Sequence, residues 1–246
     1  MSRDTIYTKP HKEIPPFEFN SAVAAVFDDM ADRSIPWYRQ VEEMSASLAV
    51  SFYQPGSRIY DLGCSTATGT LLAAQALLAR GTEHPRLIGI DNSPAMCSRA
   101  EEKLAAVFSE ERPVEIRCED LLESEITDAS VVIMNYTLQF VAPLEREKLI
   151  RRIYDGLRHN GVLIVSDKTT QSHTDVSRIF IEKYYDFKRA NGYSELEISQ
   201  KREALENVLI PYSVDEEESL FRDAGFSTVD RFFSWYNFVS FLCIKR

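Results

Sequence analysis

Arg58-Ile59-Tyr60-Asp61-Leu62-Gly63-Cys64-Ser65-Thr66-Ala67-Thr68-Gly69, followed after a helical pattern by Leu87-Ile88-Gly89-Ile90-Asp91-Asn92, decides how this chain folds. A short apolar run ends in an acid, a glycine and small residues; a second apolar run then ends in another acid. This is the opening of a nucleotide-binding βαβ unit. Glycine and small residues let backbone approach a ligand closely, and Asp91 at the tip of the second strand can accept two hydrogen bonds from a ribose diol.

Outward from this unit, strand and helix alternate. Strands are expected near Arg58–Leu62, Arg86–Ile90, Val114–Cys118, Ser130–Asn135 and Val162–Ser166, with helices near Thr68–Ala79, Pro94–Phe108 and Leu144–Leu157. Right-handed crossovers turn such a sequence into a mostly parallel sheet with helices on both faces. Thr68 is the expected N-cap of the first of these helices, Ser93-Pro94 opens the second, and Gly161 separates the third from its strand. Asp215–Ala224 reads as a last helix, and Thr228–Ser234 with Phe238–Lys245 as a closing antiparallel hairpin turning at Trp235-Tyr236-Asn237. Upstream, Pro-containing residues 1–20 lead into helices over Ala22–Met30 and Val41–Phe52, which are placed to cap a pocket. Residues 169–211 are too long for an ordinary αβ loop and read as a helical lid or an oligomer contact. The expected organisation is one α/β domain over residues 1–246, with residues 1–55 as an N-terminal helical cap.

The 246 residues are 44% hydrophobic and carry a formal net charge of −10. A sizeable core is possible, whereas direct grip on a nucleic acid would want a basic stripe. Local arginines can still hold a small anion. Cys64, Cys97, Cys118 and Cys243 show no metal-ligand spacing and the histidines are scattered, so free thiols, no metal and a cytoplasmic setting are expected. No apolar run reaches the roughly 20 residues a membrane span needs.

Three nucleotide-like ligands compete for the βαβ crevice. G-x-x-x-x-G-K-[ST] for a nucleoside triphosphate is absent. The G-x-G-x-x-G of nicotinamide enzymes is poorly made, because Ser65 and Thr68 stand where later glycines would meet a pyrophosphate. Asp61 beside the loop repels phosphate but tolerates an ammonium. S-adenosylmethionine, with an ammonium, a sulfonium and no phosphate, is therefore favoured. Asp120 after the third strand can accept from an adenine amino group, and Asn135 ends the fourth strand in the crevice. Tyr184-Tyr185-Asp186-Phe187-Lys188 contains the Tyr-x-x-x-Lys of short-chain dehydrogenases without the glycine motif that accompanies it, and reads as chance spacing on an apolar helix face. Lys188-Arg189 and Lys201-Arg202 would in most proteins be solvated helix charges.

Over nearly its whole length the chain resembles the carboxy-S-adenosyl-L-methionine synthases, relatives of the class I methyltransferases. The resemblance rests on Arg33-Ser34-Ile35-Pro36-Trp37-Tyr38, Tyr60-Asp61-Leu62-Gly63-Cys64-Ser65, Ile90-Asp91-Asn92-Ser93-Pro94-Ala95-Met96 and Asn135-Tyr136-Thr137-Leu138-Gln139-Phe140. Most diagnostic is Asp186-Phe187-Lys188-Arg189-Ala190-Asn191-Gly192-Tyr193-Ser194-Glu195-Leu196-Glu197-Ile198-Ser199-Gln200-Lys201-Arg202. The resemblance implies a Rossmann-like class I methyltransferase fold with a seven-stranded sheet whose last strand is antiparallel. It implies a homodimer that converts S-adenosylmethionine and prephenate to carboxy-S-adenosylmethionine and phenylpyruvate. The product would serve a downstream tRNA carboxymethyltransferase that forms 5-oxyacetyl uridine at the wobble position. Carried over position by position, the ligand contacts fall on Tyr38, Gly63, Cys64, Ser65, Asp91, Asn92, Asp120, Leu121, Asn135 and Arg202. Of these, Arg202 is implied to hold the transferred carboxylate, and Tyr38 to lie beside the sulfonium. No protein base is assigned. The chain departs from the family where Trp37 and Ala67 replace glycines, and in the closing hairpin. A small-molecule methyltransferase sharing fold and cofactor is the alternative reading.

Overall fold

The computed structural model describes residues 2–109 and 112–246. Its elements run α1 (Ser21–Ser34), α2 (Tyr38–Phe52), β1 (Arg58–Leu62), α3 (Thr68–Ala79), β2 (Arg86–Asp91), α4 (Pro94–Ala105), β3 (Val114–Cys118), β4 (Ala129–Asn135), α5 (Pro143–Gly156), β5 (Leu157–Lys168), α6 (Thr174–Ala190), α7 (Glu195–Ala204), α8 (Val214–Asp223), β6 (Thr228–Trp235) and β7 (Phe238–Ile244). Seven strands form one sheet in the order β3-β2-β1-β4-β5-β7-β6. β1 to β5 pair in parallel, and β7 lies antiparallel to both β5 and β6. The reversal at β1 between β2 and β4 opens a crevice at the strands' carboxyl ends, where ligands bind in such sheets.

Side chains alternate across the sheet. Val132 and Met134 of β4 face the layer that contains α5 and α8, while Val131 and Ile133 face the layer of α2, α3 and α4. Both faces are apolar because helices cover both, which is why the strands read as continuous hydrophobic runs. Among the described residues no helix is long and apolar enough to cross a membrane.

Three local expectations are corrected. The N-cap of α3 is Ala67, in the left-handed region at φ 59° with no side-chain cap, because the Thr68 hydroxyl instead accepts from Lys103 Nζ at 2.7 Å. β5 begins at Leu157, directly after Gly156, so Gly161 lies within the strand, where the carbonyl of Gly161 accepts from Lys245 N at 3.0 Å. Gly156 is the residue that permits the junction, since a Cβ there would lie 2.1 Å from the Ile126 carbonyl oxygen. Helices α1 and α2 extend to Ser34 and back to Tyr38, leaving only Ile35-Pro36-Trp37 between them. This brings Tyr38 and Glu42 onto the first turns of α2, facing the crevice. The long segment after β5 folds into α6 and α7, and Ser194 with Glu197 forms a reciprocal cap that starts α7.

Candidate active site

A cavity of about 820 Å³ lies between the strand ends, α1 and α2, and the α6–α7 wall. All ten residues singled out by resemblance line it: Tyr38, Gly63, Cys64, Ser65, Asp91, Asn92, Asp120, Leu121, Asn135 and Arg202.

At one end lie three carboxyl groups, two set by the β1 and β2 strand ends and one by α2. The amides of Gly63 and Cys64 both donate to the Ile90 carbonyl, at 2.7 and 3.0 Å, locking the loop after β1 onto β2. Gly63 has φ +74°, and a Cβ on it would sit 2.4 Å from Thr137 Oγ1, so both conformation and space demand glycine. Asp91 accepts from Ser65 N at 3.0 Å and Ser93 N at 2.9 Å. Each oxygen therefore takes one backbone donor and keeps further lone pairs for a ligand. Burial raises the Asp91 carboxyl above its ordinary value against those two bonds. Asp61 accepts from the Thr70 hydroxyl, and burial pushes it up to about 6.

The third acid, Glu42, was not among the residues the sequence singled out. It is 5% exposed, and burial, then the charge of Asp61, pushes it up to about 8. Asn135 Nδ2 donates to it at 3.2 Å, and Asn135 Oδ1 accepts from Ser166 Oγ at 2.9 Å, so the amide is oriented by both neighbours. A Cβ on Gly69 would lie 2.2 Å from Glu42 Oε2, so this glycine keeps space for an acid rather than for a turn. The available sequence signal was an acid on the small, apolar face Val41-Glu42-Ser45-Ala46-Ala49, all of them buried.

Tyr38 lies beside this end with its ring centroid 6.1 Å from that of Tyr136. Its hydroxyl is raised well above the usual range by burial, then by Glu42, Asp28 and Asp61. The Cys64 thiol is raised by burial in the same way, which leaves it a packing residue rather than a nucleophile. Asp120 Oδ1 accepts from Leu122 N at 2.8 Å, capping the turn after β3, and the Leu121 carbonyl accepts from Arg152. Trp37 and Ala67, the two positions where the resemblance implies glycine, both have φ 59°. Both hold the left-handed conformation that favours glycine with a side chain in place.

The opposite wall is cationic. Lys168 ends β5, Lys188 lies on α6, and Lys201 and Arg202 lie on α7; all four line the cavity. Lys188 is 4% exposed and Lys201 7%, and burial lowers them to about 8 and about 7. Burial also lowers Lys168. The reading of these pairs as solvated helix charges is corrected for Lys188 and Lys201. It holds for Arg189, which is exposed and paired with Asp186 and Glu195, while Arg202 is exposed at the cavity edge. The Tyr184–Lys188 spacing is likewise no idle feature of an apolar face, since Lys188 Nζ stands 4.4 Å from the Tyr184 ring centroid inside the cavity.

Residues 59–161 match the family model described as a methyltransferase domain. The chain is 45% identical to the carboxy-S-adenosyl-L-methionine synthase of Methylococcus capsulatus over the full length of both chains. It is 45% identical to that of Sulfurimonas denitrificans over 98% of this chain and 99% of the relative. The chain belongs to the carboxy-S-adenosyl-L-methionine synthase family. It is accordingly a transferase. Solved structures of methyltransferases share its fold at low identity. A putative O-methyltransferase from Nostoc punctiforme superposes with a TM-score of 0.64 at 19% identity, over 92% of this chain and 60% of that one. Magnesium protoporphyrin IX methyltransferase from Synechocystis, solved with bound SAH, gives 0.58 at 14% over 89% and 85%. Identities this low establish the class I methyltransferase fold alone, whereas full-length similarity to the synthases carries the family, including the α6–α7 insertion.

Proposed function

We propose that this protein converts S-adenosylmethionine and prephenate to carboxy-S-adenosylmethionine and phenylpyruvate. The observation that carries the reading is the polarity of the cavity: the buried carboxyl groups of Asp61 and Glu42 and the half-buried one of Asp91 line one part of it, and four basic side chains from β5 and the insertion line another. S-adenosylmethionine fits the first end. Asp91 retains lone pairs for a ribose diol, Asp61 suits the ammonium of the amino-acid end, and Asp120 is positioned for an adenine amino group. Gly63, Cys64 and Ser65 offer close backbone, Asn92, Leu121 and Asn135 border the nucleoside, and Tyr38 brings an aromatic face toward the sulfonium.

Arg202 is assigned to the carboxylate carried by the product, which a guanidinium can hold in two parallel hydrogen bonds. In the balanced reaction prephenate loses its ring carboxyl group as carbon dioxide and its ring hydroxide as it aromatises. The sulfonium methyl loses a proton to that hydroxide, giving water, and the methyl carbon bonds to the carbon dioxide. No protein base is needed. The acidic surface fits an enzyme that leaves tRNA to a partner, and we take the product to serve wobble uridine modification in the cytoplasm, with the active form a homodimer built through the insertion.

The test is to incubate the purified protein with S-adenosylmethionine, with and without prephenate, and identify the small molecules by mass spectrometry. A carboxylated sulfonium together with phenylpyruvate, formed only when prephenate is present, is expected. Unchanged cofactor in both reactions would replace the reading with that of a small-molecule methyltransferase.

A further inference from the structure

Lys168 and Lys188 stand where a fold would not ordinarily leave two ammonium groups. Lys188 is almost fully buried, and neither side chain makes a hydrogen bond or an ion pair among the described residues. Their shared neighbour is the ring of Tyr184, whose centroid is 5.0 Å from Lys168 Nζ and 4.4 Å from Lys188 Nζ. A ring face offsets only part of the cost of removing an ammonium from water. Each lysine also works against the other, the charge of Lys188 being among the causes that lower Lys168. The acid that acts on Lys188 is Asp4, but its Oδ2 already accepts from the Tyr193 hydroxyl at 2.7 Å and its Oδ1 from Ile6 N at 3.2 Å. Two cations facing one cavity with no carboxylate of the chain upon them form half of an ionic site. The missing half is an anion, and Tyr136, Tyr184, Tyr185 and Phe238 around it suit an anion that carries a ring.

We infer that Lys168 and Lys188, with Tyr184, form a carboxylate subsite for the part of the co-substrate that is not transferred: the 2-oxo acid arm that prephenate keeps as phenylpyruvate. The inference rests on the co-substrate reading above. It divides the two carboxylates of the co-substrate between two places, with Arg202 on the one that moves and the lysine pair on the one that stays. Both lysines are specificity residues here, touching an arm remote from the reacting atoms.

The test titrates phenylpyruvate by calorimetry into protein saturated with S-adenosylhomocysteine, and measures prephenate kinetics, for wild type, Lys168→Met, Lys188→Met and Lys188→Arg. Each Met variant is expected to raise the phenylpyruvate Kd and the prephenate KM about tenfold or more, with kcat at saturation and S-adenosylhomocysteine affinity within about threefold. Lys188→Met does not melt lower than wild type, because an unpaired and almost fully buried lysine is removed, and Lys188→Arg keeps most of the affinity. Kd and KM within about twofold of wild type in both Met variants would overturn the subsite, as would absence of phenylpyruvate binding to wild type. A loss that Lys188→Arg fails to restore, in protein that still binds S-adenosylhomocysteine, counts against it equally. The two readings fail separately. Without carboxylation by wild type, lysine-dependent phenylpyruvate binding leaves the subsite standing and removes the reaction. With normal carboxylation, lysine variants that bind and turn over like wild type remove the subsite alone.

Discussion

The two ends of the cavity are built on opposite principles. At the acidic end each of the three acids is met by the fold itself: Asp91 by the amides of Ser65 and Ser93, Asp61 by Thr70, and Glu42 of α2 by Asn135. On the cationic wall Lys168 of β5 and Lys188 of α6 share the ring of Tyr184, and Lys201 has a hydroxyl, Ser34 Oγ at 3.3 Å, as its hydrogen-bond partner. The acid end is preorganised by the chain's own hydrogen bonds, which suits the cationic ligand proposed for it. The cationic end is left incomplete, so that an anionic ligand supplies what the chain does not. In the proposed reading, recognition is shared between a rigid cofactor cradle and a wall whose charges become favourable only on binding.

The contrast breaks most visibly at its extremes. Arg202→Ala should lower kcat for carboxylated product by about 10²–10³, on the order of 3–4 kcal/mol of transition-state stabilisation, with the S-adenosylmethionine Kd within about threefold. Turnover and affinity measured on the same preparation decide it; equal loss of both would merge the two ends into one. Asp91→Ala should show the reverse order. Loss of its charged hydrogen bonds weakens S-adenosylmethionine about 10–100-fold, read by calorimetry.

The acid end also has a stability signature. The Glu42 carboxyl, ordinarily near 4.5, is held up at about 8 in the folded chain. Between those values the folded chain binds a proton that the unfolded chain has released, so stability falls as pH rises through this window and levels off above it. Glu42→Gln keeps an oxygen for Asn135 Nδ2 and removes the titration. In ligand-free melts it should exceed wild type by on the order of 2 kcal/mol above the window and match it below. Parallel melting curves at both pH extremes would show that Glu42 is solvated. The smallest effect belongs to the entrance of α2. Trp37 is 51% exposed and sits at φ 59°, so Trp37→Gly should stabilise by about 0.5–1 kcal/mol in denaturant titrations. Ala67→Gly, at the same φ but with a fully buried methyl, should change stability by less than about 0.5 kcal/mol.

This division also governs what could be read from sequence. Asp61 near the end of β1, Asp91 at the end of β2 and Asp120 just after β3 stand at fixed positions of a βαβ fold, so local pattern places them. Strands β1 and β3 begin and end where their patterns do. Glu42 and the lysines escaped that logic because their environment is tertiary. Glu42 lies on a helix whose charge pattern resembles any amphipathic surface, and its burial arises from contact with Gly69 and Asn135. Lys188 and Arg189 are adjacent on α6, yet one turns into the cavity and the other into solvent. The spacing of Tyr184 and Lys188, one helical turn apart, was visible, but only the placement of α6 over the crevice gives it a role. Thr68 shows the limit of cap rules. A hydroxyl suited to N-capping was drawn instead into the Lys103–Asp28–Thr66 network behind the loop.

The central claim is that one cavity moves a carboxyl group from an anionic ring acid to the methyl carbon of S-adenosylmethionine. Prephenate labelled with carbon-13 at its ring carboxylate tests it most directly, with products followed by mass spectrometry and carbon NMR. The label should appear in the sulfonium product, attached to the former methyl carbon, and be absent from phenylpyruvate. Label released as bicarbonate while S-adenosylmethionine stays unchanged, or S-adenosylhomocysteine accumulating beside a methylated acceptor, would contradict it.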